Sequence, residues 1–447
     1  MQATSPATPN PHSSFKAIFN ALVPEGLLVK IASQKQSSKG RPPTLALGDL
    51  IMGLVFHCIQ GAGTLADNMK LLTGKRWAKS SLSERRQNTR WSVFASILKA
   101  ALKPKAREDE HPEAFYKGWR LVAMDGTQFS VSNTPQILSS LTKPASRRMK
   151  AAFAKIGTVL LVELGIHNPL AAAIGGKEAE SEMVLAKTLI SELPERSLLI
   201  ADRYYGVGAF IELLTEKLGT GVGHFLVRVR ANLKPKLIEA LGDGSALMEV
   251  KPSKGKAKVL VREIRGSVRR PGGKWSEVRF WTSLLDWQQY PAGELLALYI
   301  RRWEQEIVYK ELKVDMRQCE QLKSHTVETA GQEIAALVLA HAILAEQRLE
   351  AARCGEQQVL RISFGKTLAL VKSLWIMVAA GEGLLGDDQI EAMTQRVMGL
   401  IAEMALAPRR QRSCPRAVRQ PVGSWPRLSK NTYSIGKTEY VLSPVLG

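Results

Sequence analysis

From Phe15 to about residue 105, apolar residues recur at helical spacing. The runs Phe15–Leu28, Leu45–Ile59, Leu65–Leu72 and Ser83–Leu102 are separated by Gly, Pro or Ser, which predicts a helical N-terminal domain. The polar linker Pro104–Pro112 follows, and the period then changes. WRLVAMDGTQFSVSN (Trp119–Asn133) alternates and predicts a strand. Two more strands are expected over Ile156–Lys177, joined by a tight Asn168-Pro169 turn. A helix over Glu180–Leu193, a short buried strand at Ser197–Arg203, a helix over Phe210–Leu218 and a strand over His224–Arg230 complete a β-β-β-α-β-α-β series. From about Ala231 to Trp287, MEVKP, KAKVLVREIRG and EVRFWTSLL alternate at period two, with a turn at Arg270-Pro271-Gly272-Gly273, and predict a basic antiparallel insertion. Pro291–Glu320 reads as one unbroken helix, with neither Gly nor Pro after Gly293. Helices over Ala330–Ala351, Leu360–Ala380 and Asp387–Ala405 close the pattern.

The expected fold is α/β (α+β), a mixed sheet with an antiparallel β insertion and helical regions at both ends. The expected parts are a disordered N-terminus (1–14), a helical domain suited to docking on DNA ends (15–105), a first core segment (113–230), the insertion (231–287), the core's glutamate helix with its covering helix (288–350), and a helical C-terminal region with a basic tail, Pro408–Lys430 (351–447).

Charge narrows the function. The 447 residues carry 62 Lys and Arg against 41 Asp and Glu, a net +21, and a surplus of that size points to a polyanion, nucleic acid first. The basic residues are spread over strands and loops rather than gathered on one amphipathic helix, which disfavours an anionic-membrane binder. The opening MQATSPATPNPHSSFK lacks a signal-peptide core, and uninterrupted apolar runs such as Ile334–Leu344 are too short to span a bilayer. The expectation is a cytoplasmic protein without a membrane partner. The four cysteines are far apart with no CxxC pair, which excludes the usual zinc motifs and argues against a disulfide framework. Basic positions in the N-terminal helices, Lys35–Arg41 and above all Arg85, Arg86 and Arg90, are candidates for DNA contact.

Three carboxylates stand out. Asp125 interrupts the apolar first strand, Asp202 ends the buried strand LLIA, and Glu306 lies on the long helix. Asp within an apolar strand is disfavoured by β-propensity and calls for a reason. On that helix Tyr299, Arg302, Glu306 and Lys313 stand at offsets 0, 3, 7 and 14. At 100° per residue they fall within about 60° of one another along roughly 21 Å, whereas Glu304 and Glu311 point elsewhere. Carboxylates brought together on such a scaffold match an RNase H-like fold, in which hard oxygen ligands hold divalent metal for phosphoryl transfer.

The chain resembles the DDE transposases of the insertion-sequence-four family. Their glutamate helix carries Y-x2-R-x3-E-x6-K, matched without a gap by Tyr299, Arg302, Glu306 and Lys313. MDGTQF resembles the family's first acidic motif and LLIADRYYG its second, with Tyr204 where the pattern has Gly. SEMVLAKTLI, YPAGELLALYIRRW and the CPRAVRQP tail are family-like too. The resemblance implies cut-and-paste transposition of double-stranded DNA by a bacterial, nucleoid-associated enzyme, a homodimer on paired inverted-repeat ends. It implies two Mg2+ ions, with Mn2+ as substitute, held by Asp125, Asp202 and Glu306, and phosphate-backbone contacts by Tyr299, Arg302 and Lys313. It further implies a hairpin intermediate with a flipped base stacked on a tryptophan of the insertion: Trp275, Trp281 or Trp287, with Trp281 leading because it lies within a strand. The rival readings are an RNase H-like nuclease or resolvase and an inactive, transposase-derived DNA-binding protein. The four-residue signature disfavours the first, and the presence of all three carboxylates disfavours the second.

Overall fold

A computed structural model describes residues 14–33, 45–144, 151–176, 181–219, 221–251, 258–269, 274–317, 321–407, 412–413, 434–435 and 439–443. The expected disordered start, the Lys35–Arg41 loop, the Arg270–Gly273 turn, Cys319, Cys414 and nearly all of the basic tail lie outside these residues. Cys58 and Cys354 are free thiols.

The helices are α1 (Phe15–Leu22), α2 (Glu25–Ser33), α3 (Leu47–Gln60), α4 (Leu65–Thr73), α5 (Lys79–Gln87), α6 (Trp91–Ala101), α7 (Pro135–Leu138), α8 (Glu182–Leu189), α9 (Gly208–Leu218), α10 (Ala292–Tyr299), α11 (Trp303–Lys310), α12 (Val327–Cys354), α13 (Phe364–Ala380) and α14 (Asp387–Glu403). The strands are β1 (Phe115–Tyr116), β2 (Trp119–Val131), β3 (Ala154–Glu163), β4 (Asn168–Ile174), β5 (Ser197–Ala201), β6 (Gly223–Arg228), β7 (Lys236–Ala240), β8 (Ala246–Val250), β9 (Val259–Arg269), β10 (Trp275–Thr282), β11 (Arg412–Ser413), β12 (Ser434–Ile435) and β13 (Glu439–Leu442). The chain divides into two compact units. The first holds residues 1–117, 124–194 and 304–405, and the second 118–123, 195–303 and 406–447.

In the first unit the N-terminal helices share one core with the C-terminal helices. Phe15 of α1 lies 5.0 Å from Phe56 of α3 and 5.4 Å from Trp375 of α13, ring centre to ring centre. One hydrophobic cluster runs from α1 to α14 and takes in β2, β3 and β4. Its spine is α12, opened by a capping box between Thr326 and Thr329. This helix is longer than the uninterrupted apolar run in the sequence. By length and composition it could cross a membrane, but 83% of its most apolar window is buried inside the fold, which makes it a core helix. The strand order is β4-β3-β2, with β3 and β4 antiparallel. Their turn is Leu164–His167 rather than Asn168-Pro169, because Gly165 and His167 take the positive φ values, 86° and 57°.

In the second unit the order is β2-β5-β6-β10-β9-β8-β7. All five residues of β5 are buried, and it runs parallel to β6, so it reads as a continuous apolar run rather than an alternating one. The insertion continues this sheet: β10 pairs antiparallel with β6 and β9, and β8 and β7 follow. β13 returns to pair with β9 through Glu439 opposite Arg269, a strand the pattern does not predict. Arg262 is fully buried, paired with Asp243, and donates to Tyr290 O at 2.7 Å, while Asp243 accepts from Ala292 N at 2.8 Å. That network fastens the β7–β8 turn to the start of α10. β2 belongs to both units, so the order β4-β3-β2-β5-β6 is that of an RNase H-like core.

Candidate active site

Asp202 is the first residue after β5, half-buried at the end of the apolar strand. Its Oδ1 accepts from Tyr204 N at 2.6 Å and its carbonyl from Tyr205 N at 3.2 Å, closing a tight turn. Gly206 is required there, since a side chain would collide with the backbone of Arg228 and Val229. Tyr299, at the end of α10, packs 4.4 Å from the Phe280 ring. Burial pushes its phenol up to about 12, against the opposing pull of the Arg302 and Arg228 charges, and the charge of Asp202 adds to the rise. Tyr299 therefore keeps its proton and remains a donor at neutral pH. Asp202, Tyr299, Arg302 and Arg228 thus act on one another within the second unit.

Asp125 lies on β2 in the first unit, half-buried. Its Oδ1 accepts from Gly126 N at 2.9 Å, and its carbonyl accepts the Tyr309 hydroxyl. Gln305 donates to Tyr309 Oη and to Leu160 O of β3, both at 3.2 Å. Gln305 and Tyr309 therefore lock α11 onto β2 and β3. Burial first, then the Asp125 and Glu182 charges, raise the Tyr309 phenol well above its usual value. The Glu182 carboxylate stands directly over Gly126, where any side chain would collide with it. Neither Tyr309 nor Glu182 is singled out by the sequence reading. The Tyr-x3-Gln spacing read backwards from Tyr309 was the available signal.

The expected single helix carries two changes of pitch. Ile300–Arg302 is a 3-10 turn, and Glu311–Asp315 is a π turn closed by Met316 N to Glu311 O at 2.9 Å. Three residues at 3.0 per turn advance the chain about 60° beyond an α-helix, so one 100° projection does not describe the segment. The division into units falls after Trp303. Tyr299 and Arg302 belong to the second unit, Glu306 and Lys313 to the first. Glu306 is half-buried on α11. Glu304 is held elsewhere, accepting from Gly165 N at 2.7 Å, and Glu311 is buried in the core.

Lys313 Nζ donates to Thr127 Oγ1 and, at 2.9 Å, to Gln128 O, and it sits 5.1 Å from the centre of the Phe129 ring. Burial, then the charges of Lys155 and Arg317, lowers it to about 8. The cation is therefore complete below that pH and lost above it. If Lys313 holds DNA phosphate, end binding weakens from pH 7 to pH 9, and Lys313→Arg removes the pH dependence. Binding titrations across that range check this.

Two residues expected at the DNA make bonds within the fold. Arg86 is a structural residue: its guanidinium donates to Ser324 Oγ at 3.2 Å and Thr329 O at 3.0 Å, and Gln332 returns a bond to Arg86 O at 2.7 Å. Arg85 is half-buried, and of the three only Arg90 is exposed. Arg86→Ala is expected to cost about 1–3 kcal/mol of stability by stranding buried partners, whereas Arg90→Ala leaves stability unchanged. Denaturant titration beside DNA binding separates the two. Trp281 is 1% exposed and donates its indole N–H to Glu263 Oε2 at 2.8 Å, so it packs in the core. Trp287 packs against Gly242, and Trp275 is 43% exposed beneath the Arg269 guanidinium.

Among the described residues, no group of three or more His, Cys, Asp or Glu side chains is gathered as a metal cage. Asp125 and Glu306 lie in the first unit and Asp202 in the second.

Residues 117–343 match the model of the transposase DDE domain. The transposase InsG for insertion sequence element IS4 of Escherichia coli (strain K12) is 26% identical over 331 residues, 72% of this chain and 73% of that protein. Among solved structures, the piggyBac transposase synaptic complex with hairpin DNA aligns at a TM-score of 0.43 and 10% identity, over 87% of this chain and 85% of that one. The family match spans half of the chain, from the turn before β2 into α12, and includes both acidic motifs and the whole Tyr-Arg-Glu-Lys signature. The chain belongs to the DDE transposase family and is a DNA-cleaving and DNA-joining enzyme.

Proposed function

We propose that this transposase moves an insertion sequence of the insertion-sequence-four type by a cut-and-paste route, with Asp125, Asp202 and Glu306 as its catalytic carboxylates. The observation that carries the reading is the unbroken Tyr299-Arg302-Glu306-Lys313 signature inside the family match, with Tyr299 electrostatically coupled to Asp202 and Tyr309 bonded to the backbone of Asp125. The family uses divalent metal. The donor set here is all hard oxygen on half-buried side chains, which fits Mg2+, or Mn2+ in its place. When bound, the ions supply Lewis-acid activation of the attacking oxygen and stabilise the leaving one.

The residues of the chain do the rest. Arg302 offers a planar fork to phosphate oxygens, Lys313 a point charge, and Tyr299 a hydroxyl that stays protonated. Water opens a 3′-OH at each end. That hydroxyl attacks the opposite strand to close a hairpin, which is reopened and joined to target DNA. Two copies act on the paired ends, in the bacterial cytoplasm at the nucleoid. The +21 charge serves non-specific capture of DNA.

The test is incubation of the full-length protein with Mg2+, end-bearing linear DNA and a circular target. Joined products support the reading. Cleavage of branched DNA without joining would make the protein a nuclease or resolvase instead, and binding without cleavage an inactive descendant.

A further inference from the structure

We infer that Tyr204 is a stacking platform for an unpaired DNA base beside the phosphate handled at Asp202. The inference rests on the function just proposed and adds a positioning residue to it.

Tyr204 is 40% exposed, one residue from a fully buried tyrosine. Its ring meets the Tyr205 ring edge-on at 5.5 Å, and Tyr205 is 0% exposed. The backbone beneath is fixed by Tyr204 N to Asp202 Oδ1, Tyr205 N to Asp202 O, and the close approach of Gly206 to the β6 backbone. A ring held this way presents its face with little conformational freedom left to lose.

An open cleft of about 500 Å³ lies alongside, lined by Asp202, Arg203, Tyr204, Arg230, Ala231 and Asn232. That volume accommodates a nucleotide. Arg203 and Arg230 are both exposed and supply charge for its phosphate, and Asn232 offers an amide to a base edge. An aromatic face with guanidinium groups in the same cleft is how single-stranded nucleic acid is held without dependence on base identity. Tyr204 stands two residues from a proposed catalytic carboxylate, Asp202.

The test couples the side chain to one base. Full-length Tyr204→Leu, Tyr204→Phe and Tyr204→Trp are assayed for cleavage on duplex carrying the element's own end, with an abasic site moved one nucleotide at a time through the terminal positions. Tyr204→Leu is expected to cleave about 10-fold more slowly or worse, while Phe and Trp stay near wild type. At one position the abasic site should slow the wild type by a similar factor and slow Tyr204→Leu no further, the signature of a shared interaction. The abasic series on wild-type protein needs no variant to fold, and an equal melting curve for Tyr204→Leu excludes a folding defect.

If Phe falls with Leu, the hydroxyl rather than the ring is at work and the inference is wrong. It is also wrong if the abasic and Leu losses multiply at every position. Asp202→Asn separates the two readings. If it still cleaves, the proposed function fails. If it is dead while Tyr204→Leu cleaves like wild type, only the base platform fails.

Discussion

Glu306→Gln is expected to abolish nicking and joining, by at least about 10²–10³-fold, while DNA binding survives. Gln keeps the shape and hydrogen-bonding reach of Glu but loses the negative charge, and a hard cation holds a neutral amide oxygen far more weakly than a carboxylate. Asp125→Asn and Asp202→Asn should fall with it. Binding depends on Lys and Arg and should be unchanged or tighter, since each substitution removes a like charge near phosphate. Glu304→Gln is the internal control. Its carboxylate accepts one backbone N–H, from Gly165, and a glutamine oxygen can accept the same bond. A gel assay of nicking with Mg2+, beside a binding titration, decides it. Activity in Glu306→Gln with loss in Glu304→Gln would mean the wrong carboxylate of the helix has been assigned. Full activity in all of the Asp125, Asp202 and Glu306 variants would remove the DDE chemistry altogether.

The second large effect concerns stability. Glu311 is buried and accepts from His341 Nε2 at 2.9 Å, His167 Nδ1 at 3.3 Å and Arg348 Nη1 at 3.3 Å. Burial alone would raise its carboxyl, but the charges of His167 and Arg348 and the bonds from His167 and His341 outweigh this and hold it well below its usual range. Burial lowers His341 despite its bond to Glu311, so His341 meets the carboxylate as a neutral donor. Glu311→Leu leaves Arg348 buried without its counter-charge and should cost about 3–5 kcal/mol. Adding Arg348→Met to that variant should recover most of the loss, since an apolar pair of similar volume avoids the stranded charge. The sign with pH follows. A depressed carboxyl contributes its full stability above the unfolded value, near 4.3, and loses it as pH falls through the folded value. The wild type should therefore lose more stability on acidification below about pH 4 than the double variant. Denaturant midpoints at neutral and acid pH measure both effects, and an unchanged Glu311→Leu midpoint would show that the cluster contributes nothing net.

Glu311 also begins the π turn that carries Lys313. Its cluster therefore joins core stability to the setting of a proposed phosphate contact. Nothing in the local pattern announces this. Glu311, His167, His341 and Arg348 are far apart in sequence, and each reads singly as a solvated or structural residue.

The order of elements was legible because it depends on periodicity. Alternation gives β2, β9 and β10, helical spacing gives α12, α13 and α14, and a short apolar run gives β5, each within a few residues of where it lies. The candidate chemistry was legible for a related reason. A carboxylate at the end of an apolar strand, and a spaced set of polar residues on one helix, are conspicuous against the background required by burial.

By itself the sequence determined the class of the protein: its α/β order, its basic charge, and the acidic and signature residues of a transposase. Tertiary structure alone decided what the remaining polar and aromatic residues do. Arg86, Trp281 and Glu311 look like surface or ligand-facing groups in a string of letters. They became structural because distant Gln332, Glu263 and Arg348 reach them in the folded core. Tyr204 was left facing solvent because Tyr205 took the buried position beneath it. Pairing between residues far apart in the chain leaves no local periodicity, since the partner of a buried polar group is chosen by packing and not by spacing.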